Sequence, residues 1–498
     1  MTSRFAAPLL LAASLLASCG TQVVNPVTGQ TERTAMDEAS EITEGAKAHK
    51  DVLQEYGAVD DPKLQAYVGA LGQRLAAQSH RPNLQWTFTV LDSPEINAFA
   101  LPGGYVYVTR GIMAYLESEA ELAGVMGHEI GHVTARHAAQ RATRQQNAGI
   151  GVIAATVLGA VLEAGGLSGA TNIANKASSS AAAGYVAAYS RDQESQADEL
   201  GAEYLSRNRY DPKNMVDVIQ VLKSQEQFAI DTAKAEGKPA PTRSSWLSTH
   251  PANDRRLADI QAYAAKYKGQ AGYADDGRER YLQAIAGMTF GDSAQHGLVR
   301  GRNFYHPGLG IALTAPQGWQ IANSAEAVVV VNAAADAGLV VRTVPPKAGS
   351  THEEVIRNVL KPVDGRTEKR TIHGLAATHF SGTARNDQGQ TRPVTLTLVS
   401  GPGERTYWLQ YAAKDAAARQ RAEAGLVEAE SSFRALTAAD RAAAKPWRVR
   451  TAAYPRGGFA ELAKSSPLPR AEAQLRLVNG VYGGDGEPRV GQLVKIVD

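Results

Sequence analysis

Between residues 64 and 75 the apolar side chains Leu64, Tyr67, Val68, Leu71 and Leu75 recur at offsets of 3, 4, 7 and 11, the period of one helical face. The period then changes. Residues 84–91 alternate apolar with polar, and residues 105–109 are β-branched and aromatic, so two strands are predicted there. From Glu119 to about Gln145 no proline intervenes and Ala and Glu are frequent, which predicts one long helix. Residues 148–162 are apolar around Gly149, Gly151 and Gly159. That run is short for a bilayer span and reads as a buried or interfacial helix. Ser178-Ser179-Ser180, flanked by alanines, reads as a mobile loop.

Beyond Ala264 the texture shifts. Short β-rich runs at 327–331, 339–343 and 394–399 are separated by Gly, Pro and Asn, with helical patterns at 352–360 and 413–436. The predicted fold class is α+β: a mainly helical domain with a small sheet, then an α+β module and a small tail. The divisions are a leader at 1–18, a polar tether at 19–36, the main domain at 37–265 and a connector at 266–299. The module follows at 300–440 and the tail at 450–498. Asn25-Pro26 and Thr28-Gly29 are turn signals within the tether. No 34-residue helical repeat is visible, so a tetratricopeptide array is not predicted.

Composition narrows the class. With 498 residues, 44% hydrophobic and 20% charged, the chain can bury sizeable cores and is not globally disordered. Lys plus Arg number 52 against 50 Asp plus Glu, and a net charge of +2 argues against nucleic acid as a partner. One cysteine excludes an intramolecular disulfide framework and a Cys-rich metal site. Arg4 is the only charged side chain ahead of an apolar run at 6–17, the pattern of a secretory signal peptide. The run ends in Leu16-Ala17-Ser18-Cys19-Gly20, which resembles the bacterial lipobox. That resemblance implies a lipidated Cys19 as membrane anchor, and several acyl chains suffice for stable anchoring. Gly20 after the cysteine, rather than Asp, points to the periplasmic face of the outer membrane.

Candidate chemistry concentrates at His128-Glu129-Ile130-Gly131-His132. Four residues are about 400° of helix, so His128 and His132 project from one face and can converge on one ion. One zinc ion is the predicted cofactor, and Glu129 lies where it can take a proton from a water polarised there. Other divalent ions could occupy such ligands in vitro. Gly131 costs about 1 kcal/mol in mid-helix relative to Ala, and so signals close approach by another element. A metzincin-type third histidine is absent: Ala135 and Ala138 stand at the required positions, and His137 is one residue out of register. The alternative is a second helix. Glu194 and Asp198 share one helical face, so Glu194 can complete the ligand set. Asp198 can accept the second ring N–H of a ligand histidine. Glu199 and Glu203 read as a solvated acidic face, and His49, His80 and His137 as surface or packing residues.

Taken together, the string from Asn97 to Gly104, the His-Glu-Ile-Gly-His helix and the later Glu-x-x-x-Asp resemble the gluzincin metallopeptidases grouped with HtpX, the Oma proteases and BepA. Ser248-Thr249-His250-Pro251 with Arg255 matches their downstream motif, and the similarity spans about 37–265. The Asn-Pro-Val-Thr-Gly tether from Asn25 to Gly29 resembles the periplasmic lipoprotein, LoiP-like branch. In the tail, Asn479-Gly480 followed by Gly491-Gln492-Leu493-Val494-Lys495-Ile496 resembles the end of a LysM peptidoglycan-binding module, without the usual Gly-Asp-Thr-Leu opening. The module at 300–440 resembles PsbP-like sandwiches.

The resemblance implies a zincin-type endopeptidase of the bacterial envelope, cleaving unfolded or misassembled polypeptides with Glu129 as general base. Asn97, Ala98, Phe99 and Ala100 would form an edge strand onto which substrate adds as a further strand. His250 has two readings: an ordinary capping histidine before Pro251, or, as the resemblance implies, a fourth ligand that latches the site. Arg255 could stabilise an oxyanion or serve in a salt bridge. Two other functions compete: a chaperone-like outer-membrane assembly factor with a latent zinc site, and a peptidoglycan-binding envelope adaptor.

Overall fold

The computed structural model describes residues 21–148, 189–237, 250, 254–267, 272–273, 275–324, 327–385, 390–484 and 486–498. The leader with Cys19, the apolar run from 149 to 162, the serines at 178–180, and Ser248, Thr249 and Pro251 lie outside the described residues, as does the side chain of Arg255.

The segment expected to be a tether is folded. Strands β1 (Thr21–Val24) and β2 (Thr31–Thr34) form an antiparallel hairpin. Asn25 makes the turn: its side-chain oxygen accepts from the backbone N–H of Val27 at 2.9 Å and of Thr28 at 3.2 Å. Its amide donates to Glu32 and to the Ala135 carbonyl, which fastens the hairpin to the main domain.

Helices α1 (Glu38–Tyr56) and α2 (Pro62–Ala77) follow. Asp61 caps α2 ahead of Pro62, whose missing N–H costs nothing at a helix start. Leu64, Val68, Leu71 and Leu75 are buried, as their spacing predicts. Strands β3 (Thr87–Leu91), β4 (Ala98–Leu101) and β5 (Tyr105–Thr109) form a sheet in the order β3-β5-β4. β3 and β5 are parallel, whereas β4 and β5 are an antiparallel hairpin. Its turn places Gly103 and Gly104 at φ +83° and +95°, where L side chains are strained. β4, holding Ala98, Phe99 and Ala100, is therefore an edge strand, as expected, with Asn97 directly before it.

After α3 (Arg110–Tyr115) the predicted long helix is two helices, α4 (Glu119–Thr134) and α5 (His137–Ala148). The chain breaks at Arg136, which has φ +60°. Tertiary contacts hold that conformation: Arg136 pairs with buried Glu41 and donates to the Met36 carbonyl, while Asn25 takes the Ala135 carbonyl. The remaining helices of the domain are α6 (Arg191–Arg207), α7 (Asn214–Ala235) and α8 (Asp254–Lys266). Among the described residues no helix is long and apolar enough to cross a membrane.

Between 320 and 413 lies a seven-stranded antiparallel sheet whose outer strand is Pro362–Ile372. The helix Ala416–Ser431 covers it, and Leu339, Tyr407, Leu409, Leu426 and Phe433 form a core of their own. The helical pattern at 352–360 is one short α-helix, His352–Val355, continued by a π-helical turn at Ile356–Leu360. The tail differs. Its strands Trp447–Ala453 and Leu493–Val497 pair antiparallel around two short helices. Phe459, Leu475, Val478, Val494 and Val497 are buried in the same core as α2 and α4.

Candidate metal centre

The site is built on α4 and α6. Ser118 caps α4, accepting from the Glu121 N–H, and Ser190 with Gln193 forms a capping box at the start of α6. The two helices meet on glycines. A Cβ at Gly131 would stand 3.1 Å from the Ala197 carbonyl oxygen and 3.2 Å from Leu200 Cβ, and one at Gly127 would touch Gly201 Cα at 3.4 Å. This close approach, signalled by Gly131, carries Glu194 to the histidines.

His128 Nε2 and His132 Nε2 are 3.0 Å apart. Glu194 Oε2 lies 3.7 Å from the first and Oε1 lies 3.5 Å from the second. His250 joins them: one ligand atom from each of the four residues falls within 4.8 Å of the others, and all four are buried. Ligands about 2.1 Å from a tetrahedral zinc stand about 3.4 Å apart, close to these separations. Charge gives a second test. Among the described residues, the three carboxyl groups Glu129, Glu194 and Asp198 gather around the Arg256 guanidinium, an acid-rich setting that suits a divalent cation. Both tests fit one metal ion.

Around the ligands the partners are specific. His128 Nδ1 lies 2.8 Å from Asp198 Oδ1, the contact expected for Asp198. Arg256 grips Asp198 with Nε at 2.6 Å and a terminal nitrogen at 2.8 Å, reaches Glu194 at 3.1 Å, and donates to the His250 carbonyl at 3.0 Å. Burial would raise Asp198, but Arg256 and His128 bring it down to about 2. Glu194 is driven well up by burial and by Asp198 and Glu129, against Arg256. Burial holds both ligand histidines below their ordinary value, and His132 is lowered further by His128, His137 and His250. Neutral imidazoles are the form that ligates a metal.

Glu129 is fully buried, with Oε1 3.6 Å from His250 Nε2. A small, part-enclosed cleft opens beside His132, lined also by Ala100 and Leu101 of the edge strand. Tyr189 walls it, stacked on the His132 ring at 3.9 Å and covered by Arg141.

Two residues in contact with the cluster were not singled out from the sequence as part of it. Arg256, to which the Asp-Arg-Arg run gave no pointer, reaches the site; the side chain of Arg255 lies outside the described residues. His137 was expected to be a surface or packing residue. It is fully buried, with Nδ1 2.8 Å from His132 Nδ1 and Nε2 2.9 Å from Gln196 Oε1, and burial pushes it down to about 4. His49 and His80 do pack as expected, against Tyr107 and Tyr204.

Residues 62–264 match Peptidase family M48. The beta-barrel assembly-enhancing protease of Yersinia pestis is 31% identical over 212 residues, 42% of this chain and 40% of that protein. The mitochondrial metalloendopeptidase OMA1 of Schizosaccharomyces pombe is 29% identical over 223 residues, 43% of this chain and 58% of that protein. The chain thus spans about two fifths of the length of the first of these relatives. The solution structure of cyanobacterial PsbP from Synechocystis sp. PCC 6803 is similar at 14% identity, covering 30% of this chain and 98% of that one, with a TM-score of 0.21.

Proposed function

We propose that this chain, whose residues 62–264 match Peptidase family M48, is a zinc-dependent endopeptidase acting on unfolded or misassembled polypeptides of the bacterial envelope. One observation carries the reading: His128, His132 and Glu194 converge on one point, with Glu129 buried beside it. A zinc ion held there would supply Lewis acidity, polarising a peptide carbonyl and lowering the pKa of water towards about 7. The protein does the rest. Glu129 accepts the attacking water's proton and returns it to the leaving amine. Asp198 orients His128, and Arg256 holds Asp198 ionised and opposes the upward push of burial on Glu194. The edge strand β4 offers backbone groups to an extended substrate, so that backbone shape matters more than side-chain chemistry.

His250 sits as a fourth ligand and holds the site latent until it withdraws. That geometry favours one second reading, an assembly factor whose zinc site rarely turns over. In location, Cys19 is a lipid anchor holding the enzyme in the periplasm, at the outer membrane, with the LysM-like tail as a candidate peptidoglycan contact.

Bound zinc and casein cleavage in protein from Gly20 onward, as wild type, Glu129→Gln and His250→Ala, test the proposal. The endopeptidase reading expects one zinc in each of wild type and Glu129→Gln, with chelator-sensitive cleavage only where Glu129 is present. Faster cleavage by His250→Ala supports the latch. Zinc without cleavage by either wild type or His250→Ala favours the assembly factor, and no metal in any preparation removes the central claim.

A further inference from the structure

An imidazole that ligates a metal through Nε2 must carry its proton on Nδ1, and that N–H needs an acceptor. For His128 the acceptor is a carboxylate, Asp198. For His132 it is another imidazole: its Nδ1 faces His137 Nδ1 at 2.8 Å, with the two rings 70° apart in plane. A contact between two ring nitrogens holds one proton, so the pair has two directions. If His132 donates, its Nε2 keeps the lone pair that a metal requires, and His137 carries its own proton on Nε2. If His137 donates, His132 carries its proton on Nε2 and cannot ligate. Gln196 breaks the tie. Its side-chain oxygen lies 2.9 Å from His137 Nε2 and accepts a hydrogen bond from an N–H there.

We propose that His137 and Gln196 are positioning residues for the metal centre: the relay from His132 to His137 to Gln196 fixes His132 in the Nδ1–H tautomer and aims its Nε2 at the ion. The inference rests on the metal-centre reading above. Its logic is also electrostatic. The cluster already holds three buried carboxylates against Arg256, and a neutral acceptor orients the second histidine without adding a fourth buried charge. The fold makes the relay reachable through one feature, the break at Arg136, which turns His137 back towards the last turn of α4. Gln196 comes from α6, between Glu194 and Asp198, so the helix that supplies the third ligand also orients both histidines.

The alternative is that His137 is a buried histidine that serves packing alone. The two separate in the full chain with His137→Phe, which fills the space without an acceptor, His137→Gln, which restores one, and Gln196→Leu. Zinc affinity is read by chelator competition, and melting temperature with and without zinc. The relay expects His137→Phe to weaken zinc binding by about 10–100-fold. The zinc-dependent rise in melting temperature shrinks while the metal-free melting temperature stays near that of wild type. Gln196→Leu shows a smaller loss in the same direction, and His137→Gln recovers part of it. A metal-free melting temperature that falls while zinc affinity stays within twofold of wild type overturns the proposal. Should His137→Phe fail to fold, unchanged zinc affinity in Gln196→Leu overturns it equally. Wild type that binds no zinc overturns the metal-centre reading itself and the relay with it.

Discussion

At the scale of single residues, the proposed metal cluster was legible because its spacing is chemical: His128 and His132 four apart on one helix, Glu194 and its neighbour Asp198 four apart on another. Arg256 and His137 were not, because their roles depend on contacts that no local period encodes. Gly131 stands between, since its cost in a helix shows that something approaches but not what. The structure names the neighbours, and they decide a sign. A methyl group at Gly131 would press on Ala197 backbone and Leu200 Cβ at 3.1–3.2 Å, atoms that cannot swing aside. Overpacking of about 1–3 kcal/mol then outweighs the roughly 1 kcal/mol gained in helix propensity. At Gly127 the nearest contact is 3.4 Å, an ordinary one. Gly131→Ala should therefore lower the melting temperature and weaken zinc binding by moving Glu194. Gly127→Ala should leave both unchanged or raise the first. Melting and chelator titration of the two variants side by side check the contrast, and equal effects would refute it.

At the scale of elements, the sequence pattern located α2, β5 and three of the seven strands of the large sheet, but it ran α4 and α5 together. Nothing in the residues from Glu119 to Gln145 opposes a continuous helix; the break at Arg136 is imposed by Glu41, Met36 and the hairpin's Asn25. The same blindness made the hairpin look like a tether, because a four-residue strand rich in Thr and Gln carries no apolar alternation. Asn25 is then a structural residue of the site, since it holds the carbonyl that ends the metal-binding helix. Asn25→Ala should cost about 1–2 kcal/mol, chiefly by stranding two turn N–H groups, since Gln140 still donates to that carbonyl. Asn25→Asp should cost more, although it keeps the turn acceptor. It sets a negative charge against the negative end of α4 and against Glu32. The order of melting temperatures, wild type above Ala above Asp, checks this. Asp at or above wild type would show that the hairpin does not cap α4.

At the scale of the whole molecule, the tail is welded to the peptidase domain through a buried cation. Lys495 is fully buried, donating to the carbonyls of Ala114 and Leu116 and pairing with Glu117 at 2.7 Å, in the turn that leads into α4. Glu121, one turn further, is pushed up to about 8 by burial and Glu117, with Lys495 opposing. Because its folded pKa lies above the unfolded value near 4.3, its contribution to stability is complete below about pH 4 and is lost as pH rises towards 8. The loss approaches about 1.4 kcal/mol per pH unit. Glu121→Gln should flatten that decline, gaining on wild type at pH 8 but not at pH 5; parallel stability curves would contradict it.

The Gly-Gln-Leu-Val-Lys-Ile ending could suggest a module, but no sequence pattern says that its lysine is buried in another domain. That burial changes what a deletion means. Removing residues 450–498 would strip Val494, Val497, Phe459 and Leu475 from the core shared with α4, so loss of activity would not identify a glycan-binding role. Lys495→Met is the sharper probe, since it keeps the apolar stem and removes only the charge. Two helix-end carbonyls and Glu117 lose their partner, although Arg278 still holds Glu117 at 2.7 Å. The expected cost is about 3 kcal/mol, at the lower end for a broken buried pair. Zinc affinity should fall with it, because the disturbed turn begins the helix that carries both histidine ligands. Adding Glu117→Gln should recover little of the loss, because Arg278 still pairs with Glu117 in the Lys495→Met protein. A Lys495→Met protein that melts with wild type would mean that the tail merely rests on the peptidase domain, and the deletion would again be a fair test of what the tail binds.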